Sequence, residues 1–137
     1  YVAIENDARL VTTLHPRGFP VYFGDASRAE LLQKVNADRA AAVVLTMDHA
    51  ASVLHAVKSI RREYPLLPVY ARARDEAHAV ALIQAGATLV VPEALESALQ
   101  LTATVLHTVG LSEARTTDIV QAERDRRNAV LLAKKLS

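Results

Sequence analysis

Charged side chains follow the short apolar runs of this chain, where they could bind a small polar ligand. Glu5 follows the first run, Asp25 the second and Asp48 the third, and Arg72 and Arg74 end the fourth. Carboxylates accept hydrogen bonds from hydroxyls and amines, whereas guanidinium groups bind carboxylates and phosphates through paired N–H donors. If the runs are parallel strands, these side chains meet at one edge of the sheet, where open sheets of this kind bind ligands.

Glu5 stands where an acidic side chain can accept hydrogen bonds from both hydroxyls of a ribose. Its charge and its two oxygens suit a vicinal diol. The alternative is that Glu5, or the Asn6-Asp7 pair after it, caps the following helix. Position alone leaves both interpretations open.

Residues 24–27, Gly-Asp-Ala-Ser, predict a tight turn from strand to helix. Gly24 and Ala26 would let a flat ring approach the backbone, and Asp25 could accept a hydrogen bond from an exocyclic amine. The alternative is an ordinary turn, in which Ser27 and Glu30 form a capping box for the next helix.

Arg72 and Arg74 alternate with alanines, so both point to the same side of a strand. Two guanidinium groups on one side form a site for a carboxylate or a phosphate. They could instead pair internally, because buried arginines are costly without a partner. The available partners are Asp48, Asp75 and Glu93.

The composition excludes several functional classes. Sixteen Lys and Arg stand against fifteen Asp and Glu, and aromatic residues make up only 4% of the 137 residues, which argues against a nucleic-acid partner. There is no Cys, no G-x-S-x-G motif and no pair of histidines with zinc-ligand spacing. We therefore expect neither a metal site nor catalysis.

The elements that position these residues alternate regularly. Five apolar, strand-like runs are separated by segments with helical periodicity, which predicts an α/β fold with a parallel sheet covered on both faces. We expect one domain over residues 1–110 and a charged helical arm over residues 111–137. The arm is either a solvated helix or a segment that packs on a partner chain through Ile119, Val130, Leu131 and Leu132. Because the sequence begins inside a strand, we expect it to be a piece of a longer protein.

Four stretches give the chain a specific resemblance. They are residues 2–7 (VAIEND), 21–28 (VYFGDASR), 71–75 (ARARD) and 84–87 (QAGA). In order and spacing they resemble the TrkA-N domain, also called the RCK N-terminal domain, of bacterial potassium transport systems. Within that group the chain is most similar to the Kef-type, glutathione-regulated potassium-efflux antiporters.

The resemblance implies a Rossmann-like, doubly wound, three-layer sheet that binds NAD(H) or AMP as a regulatory ligand, with glutathione as a further effector. It places Glu5 at the ribose, Asp25 and Ala26 at the adenine-side turn, and Arg72 and Arg74 near the anionic effector. From its position at the end of the third run, we also expect Asp48 in the nucleotide site. It also implies a homodimer attached to a membrane antiporter domain at the cytoplasmic face of a bacterial inner membrane. This sequence shows neither the family's first strand nor its glycine-rich loop. Since that strand is central in the family's order, we expect a gap between the strand at Tyr1 and the strand at Ala42.

Two other interpretations compete. The five strand–helix units also suit a response-regulator receiver domain, with Asp48 as phosphoacceptor, but Ala71 and Ala73 flank Arg72 where a Thr or Ser is needed, and Val91 stands where a Lys is needed. A fragment of an NAD-dependent oxidoreductase would need a substrate domain, and only 27 residues follow Gly110.

Overall fold

The fold is described from a computed structural model that covers residues 1–134; residues 135–137, the end of the predicted arm, lie outside the described part. Strands and helices alternate as the hydrophobic pattern predicts. The strands are β1 (Ala3–Glu5), β2 (Val21–Phe23), β3 (Val43–Leu45), β4 (Val69–Ala73) and β5 (Leu89–Pro92). The helices are α1 (Ala8–Leu14), α2 (Ala29–Lys34), α3 (Ala50–Glu63), α4 (Glu76–Gln84), α5 (Glu93–Thr108) and α6 (Glu113–Ala133).

The strands form two parallel sheets. One contains β1 and β2, in which Ala3 is the partner of Val21 and Glu5 of Phe23. The other has the order β3-β4-β5. No pairing joins β1 to β3 in the described part of the chain, so the structure has the gap that the resemblance implies. A receiver domain would need β1 paired with β3, which this topology does not provide.

The core lies on the three-stranded sheet. Helices α3 and α4 bury its inward positions, and the side chains with no exposed surface include Val53, Val57, Ile60, Val69 and Leu82. The strand positions follow the two-residue period, since Val69, Ala71 and Ala73 are buried while Tyr70 is exposed. Helix α2 joins this core through Leu32.

The Arg61 side chain links α3 to the end of α4 through hydrogen bonds. Its Nε and one terminal nitrogen donate to the carbonyl oxygen of Gly86 at 3.0 and 2.7 Å. The other terminal nitrogen donates to the carbonyl oxygens of Pro65 at 2.5 Å and Leu67 at 3.2 Å. Gly86 has a φ of 104°, and a Cβ there would lie 3.1 Å from the Arg61 side chain. The positive φ and the close approach of Arg61 both favour a glycine at this position.

The start of α2 corrects one expectation. The predicted capping box of Ser27 and Glu30 is wrong, because α2 begins at Ala29 after Arg28, which makes no side-chain cap hydrogen bond. The Ser27 hydroxyl instead donates to Asp25 Oδ1 at 2.7 Å. The carboxylate is the stronger acceptor, and it folds the serine back into the turn.

The last helix, α6, packs against α5 and α4 of its own chain. Leu131 is buried in the core cluster, and Arg124 forms a two-pronged ion pair with Glu96 of α5 at 2.9 Å. Lys134 reaches Glu76 at the start of α4, with 3.3 Å between nitrogen and oxygen. The other three apolar positions proposed for partner contact, Ile119, Val130 and Leu132, are exposed. Within residues 1–134, no helix combines the length and the apolar character that crossing a bilayer requires.

Candidate functional site

Glu5 ends β1 with a carboxylate held in a defined position. Its Oε1 accepts hydrogen bonds from the backbone N–H groups of Asn6 at 2.8 Å and Asp7 at 2.9 Å. The helix cap is Asp7, whose Oδ1 accepts from the N–H of Arg9. Both bonds to Glu5 in the described part of the chain use Oε1, which leaves Oε2 for a ligand. Asp7, and not Glu5, thus caps α1.

The Gly24-Asp25-Ala26 turn lies beside Glu5. The backbone N–H of Gly24 donates to the carbonyl oxygen of Glu5 at 2.9 Å, which aligns the two strand ends. Asp25 Oδ1 accepts from the hydroxyl of Ser27 at 2.7 Å and from its N–H at 2.9 Å. These two bonds lower the pKa of the Asp25 carboxyl below its usual value, so it is a carboxylate at neutral pH.

Gly24 lets this turn close tightly. A Cβ at this position would collide with the Leu31 side chain on α2. The missing side chain therefore brings the turn against the helix, and it leaves the half-buried Ala26 beside the space between the two sheets.

Arg72 is bound within its own chain at the ends of β3, β4 and β5. One terminal nitrogen donates to the carbonyl oxygen of Thr46 at 2.8 Å and to the carboxylate of Asp48. The other terminal nitrogen lies 3.3 Å from the carboxylate of Glu93. Of the two alternatives for Arg72, the structure displays internal pairing, and an incoming anion would compete with Asp48 and Glu93.

Arg74 is more accessible than Arg72. Its side chain is 71% exposed, and its Nε donates to Asp75 Oδ2 at 3.1 Å. Asp75 caps α4 by accepting from the N–H of His78 at 2.8 Å. That bond and the one from Arg74 lower the pKa of the Asp75 carboxyl. The terminal guanidinium nitrogens of Arg74 face solvent beside a helix start that already holds a negative charge.

A cleft of about 1030 Å³ separates the two sheets. We call it the inter-sheet cleft. Its walls are β1, β3 and α2, and at the carboxyl ends of the strands it is bounded by Ile4, Ala26, Thr46 and Met47. Glu5 and Asp25 directly adjoin the lining residues Ile4 and Ala26, and Asp48 adjoins Met47 on the opposite wall. The three predicted acids thus each adjoin a residue that lines the inter-sheet cleft, whereas Arg72 lines a different cavity. Arg74 follows the end of β4.

A second cavity of about 540 Å³ is lined by Arg72 and lies between the ends of β4 and β5 and helices α5 and α6. Its polar lining includes Glu93, Glu96, Gln100 and Arg124. Glu96, Gln100 and Arg124 are not among the candidates that the sequence suggested. They lie on helices without a local motif, and only the packing of α6 on α5 brings Arg124 near Arg72. Across residues 1–134 no group of three or more potential metal ligands comes together.

Residues 1–93 match the sequence model of the TrkA-N domain family, which is about two thirds of the chain. The chain belongs to the TrkA-N domain family. Its Rossmann-like α/β fold, inferred above from the alternating pattern and the resemblance, is confirmed.

Relatives of this TrkA-N chain occur in large transport proteins. It is 42% identical over 106 residues to K(+) efflux antiporter 1, chloroplastic, of Arabidopsis thaliana, covering 77% of this chain and 9% of that protein. It is 32% identical over 131 residues to a putative K(+) efflux antiporter KefB of Alkalimonas amylolytica, covering 96% of this chain and 20% of that protein. The chain thus spans at most a fifth of the length of these relatives.

A solved structure resembles the TrkA-N chain over nearly its whole length. The Kef C-terminal domain of Shewanella denitrificans in its AMP-bound form superimposes with a TM-score of 0.77 at 25% sequence identity. The match covers 98% of this chain and 97% of that one. The similarity therefore includes α5 and α6, which extend beyond the residues of the family match.

Proposed function

We propose that this chain is a regulatory domain that binds an adenine nucleotide, AMP or NAD(H), and thereby controls a potassium-efflux antiporter. The observation that carries the proposal is the placement of Glu5 and Asp25 at neighbouring strand ends beside the inter-sheet cleft. The similarity to an AMP-bound Kef domain and to K(+) efflux antiporters supports it.

The nucleotide would use the polar atoms that the turns leave available. Glu5 Oε2 would accept hydrogen bonds from the ribose hydroxyls, while Oε1 stays bound to the Asn6 and Asp7 backbone. Asp25 would accept from the exocyclic amine of adenine, and the small Ala26 side chain would admit the ring. Asp48 would bound the site on the far side of the cleft. None of these roles requires a bond to be made or broken, which fits a regulatory rather than a catalytic domain.

The anionic effector would bind at Arg72 and Arg74. Glutathione has the carboxylates that guanidinium groups bind in a two-pronged manner. Arg74 offers exposed donors, whereas Arg72 must first exchange Asp48 or Glu93 for the ligand. Since Asp48 lies at the nucleotide end of the cleft, displacing it would couple the effector to the nucleotide, and coupling between two ligands is reciprocal.

Control of transport requires partners outside this chain. We propose a homodimer attached to the antiporter's membrane domain at the cytoplasmic face of a bacterial inner membrane. Ligands that bind one dimer arrangement more tightly than another would shift the antiporter between states by that difference in affinity.

The nucleotide site is tested by calorimetric titration of the chain with AMP and NADH. Removing a charged acceptor costs roughly 1.5–3 kcal/mol, so Glu5→Gln and Asp25→Asn should each weaken binding about 10- to 100-fold. Glu113→Gln and Asp118→Asn remove the same charges from exposed positions on α6 and should leave binding unchanged. The nucleotide proposal fails if neither compound binds, or if the control variants weaken binding as much as the site variants.

The effector site is tested by titrating glutathione with and without AMP. Arg74→Ala should weaken binding by about tenfold, while the exposed Arg115→Ala should have no effect. Arg72→Ala should also change AMP affinity, because it releases Asp48. Glutathione binding that is unaffected by either substitution would remove the arginines from the proposal and leave the nucleotide site standing.

A further inference from the structure

The amino and carboxyl ends of the strands differ in how their charges are paired. Each arginine at the carboxyl ends has a carboxylate partner, the pairs being Arg9–Asp7, Arg28–Asp25, Arg72–Asp48 and Arg74–Asp75. We call the turns into β2, β3 and β4, with the helix ends before them, the amino edge. Its cations Arg17, Lys34 and Arg39 belong to no salt bridge of residues 1–134. Its acids are Asp38 and Glu63, and Glu63 already pairs with an arginine of α3, so positive charge is in excess.

Leu66 projects from the amino edge in a fixed position. It lies in the turn between α3 and β4 and is 95% exposed, whereas Leu67 beside it is buried. Arg61 donates to the carbonyl oxygens on both sides of Leu66, those of Pro65 and Leu67. Pro65 and Pro68 restrict the backbone of the same turn. The turn thus holds an aliphatic side chain out in water, which is unfavourable unless a partner covers it.

Phe19 is a second exposed apolar side chain at the amino edge. It follows Gly18 in the turn into β2 and is 46% exposed. Arg17 stands two residues before it. Arg39 has the corresponding place beside Leu66, because it precedes β3, the strand that pairs with β4. Each exposed apolar side chain of this edge is therefore accompanied by an unpaired arginine.

This combination is typical of a surface that contacts a membrane. Apolar side chains enter the boundary between headgroups and acyl chains, and basic side chains are attracted to anionic lipids. Cations near helix ends also stabilise the helix dipole, but that role does not explain the exposure of Leu66 and Phe19. Neither of these two residues lines the inter-sheet cleft or the second cavity. Two projecting side chains on one edge suit a flat partner better than a partner that must fill a groove.

We propose that the amino edge binds the surface of a bilayer that contains anionic phospholipids. Leu66 and Phe19 insert below the headgroups, while Arg17, Lys34 and Arg39 bind the headgroup phosphates. The carboxyl ends of the strands, with the predicted acids, then face away from the lipid. The proposal uses no residue of the nucleotide or effector site, so it does not rest on the proposed function.

The first test is cosedimentation of the chain with lipid vesicles. One set contains phosphatidylcholine alone, and the other contains phosphatidylcholine mixed with phosphatidylglycerol. Each basic side chain near an anionic surface strengthens binding about fivefold, so the anionic vesicles should bind at least about tenfold more tightly. High salt should reduce that difference. No binding to the anionic vesicles, or equal binding to both sets, overturns the proposal.

Matched substitutions at exposed positions test the orientation on the membrane. Arg39→Glu and Leu66→Ser should each weaken binding to the anionic vesicles about tenfold or more. Arg9→Glu makes the same charge change at the carboxyl ends, and Leu101→Ser removes a 66% exposed leucine from α5. These two controls should change binding by less than about twofold. Controls that weaken binding as much as the edge variants would show that the amino edge is not the contact.

A fluorescent label reports which side chain enters the lipid. Because the chain has no cysteine, Leu66→Cys and Leu101→Cys each allow a single nitrobenzoxadiazole label. Its fluorescence should rise on anionic vesicles when it is attached after Leu66→Cys and stay unchanged after Leu101→Cys. A rise for Leu101→Cys alone would place another face on the membrane and overturn the proposal.

Sedimentation without lipid addresses a second copy of the chain as the partner. If Leu66→Ser abolishes self-association but leaves vesicle binding unchanged, the amino edge is a contact between copies and the membrane proposal is wrong. Failure of AMP to bind counts only against the proposed function, and failure of the vesicles to bind counts only against the membrane proposal.

Discussion

The two sheets differ sharply in how well they are packed. The body built on β3, β4 and β5 with α2, α3, α4 and the end of α6, together with their connections, holds the whole buried core cluster. No residue of 1–28 belongs to that cluster. The layer formed by β1, β2 and α1 has half-buried strand positions in β1, and α1 has no buried residue. Val21 is the buried apolar side chain of this layer.

The difference shows that the candidate site joins regions of unequal rigidity. Glu5 and Asp25 belong to the thinly packed layer, whereas Asp48 and Arg72 belong to the well-packed body. Segments with few buried contacts open locally at low free-energy cost. We therefore expect Glu5 and Asp25, the acids of the proposed nucleotide site, to move more than Arg72, and we expect a ligand that contacts both regions to reduce that motion.

The largest expected effect is a cavity in the well-packed body. Leu82 has no exposed surface, so Leu82→Ala should lower the free energy of unfolding by about 2–5 kcal/mol. Leu10 on α1 is 43% exposed, and Leu10→Ala should cost less than about 1 kcal/mol. Urea unfolding followed by circular dichroism measures both, and equal losses would contradict the contrast between the regions.

A glycine in each region allows the same comparison for a backbone position, with Gly18 in the thinly packed layer and Gly86 in the well-packed body. Gly18 and Gly86 both have positive φ, 86° and 104°, and alanine at either should cost about 1–2 kcal/mol for that conformation. At Gly86 the added Cβ also meets the Arg61 side chain, which should add roughly 1–3 kcal/mol, whereas nothing lies within 4 Å at Gly18. Thermal unfolding of Gly86→Ala and Gly18→Ala tests this, and equal destabilisation would show that Arg61 moves aside freely.

The attachment of α6 to the well-packed body should have a smaller effect. Arg124→Ala breaks a partly exposed, two-pronged pair between α6 and α5 and should cost about 1 kcal/mol. Arg126→Ala breaks a more exposed ion pair with Glu123 inside α6, so we expect it to lower the free energy of unfolding by much less than Arg124→Ala does. The comparison is made by urea unfolding at low ionic strength. A larger loss for Arg126 would mean that α6 is held by its own helicity rather than by α5.

The smallest expected effect is the contribution of the Asp25 carboxylate, in the thinly packed layer, to the free energy of unfolding. This contribution should depend on pH. Hydrogen bonds from Ser27 lower the pKa of Asp25 in the folded state, so its carboxylate stabilises the fold above the unfolded value of about 3.8. That contribution is lost as the pH falls through the lower folded value. Since Asp25 is half exposed, we expect Asp25→Asn to cost at most about 0.5 kcal/mol at neutral pH.

The acid dependence is measured by thermal unfolding of both proteins between neutral and strongly acid pH. The gap between the native chain and Asp25→Asn should narrow as the pH drops, and Asp118→Asn should show no such change. A gap that stays constant with pH would mean that the charge of Asp25 does not stabilise the turn.

The sequence predicted the elements well because their signals are local. The apolar runs, the helical periodicity and the glycine after α4 are each contained within a few residues, and the resemblance supplied the family and the missing pairing partner of β1. The Ser27 cap was mispredicted because the capping-box pattern considers only Ser27 and Glu30. It ignores the Asp25 carboxylate two residues away, which accepts the hydrogen bond of the Ser27 hydroxyl. Arg72 pairing was foreseen as one of two possibilities, but choosing between them needed the three-dimensional positions of Asp48 and Glu93.

The second cavity could not be predicted from the sequence. Glu96 and Arg124 are 28 residues apart on different helices, and no periodic pattern links them. Their contact depends on how α6 folds back, which is fixed by the burial of Leu131 in a core made by distant elements. Contacts between residues so far apart in the chain produce no pattern among neighbouring residues of the sequence, so sequence analysis could not detect them.

The anchoring of α2 by Leu32 has a consequence for mechanics. Within residues 1–134 the chain passes from the thin layer to the well-packed body once, through residues 24–28. Any hinge motion between the two must be absorbed by that five-residue turn, which carries Asp25 and Ala26. The segment proposed to contact adenine is thus also the hinge. A nucleotide bound at Asp25 and Ala26 would therefore change the angle between the thin layer and the well-packed body.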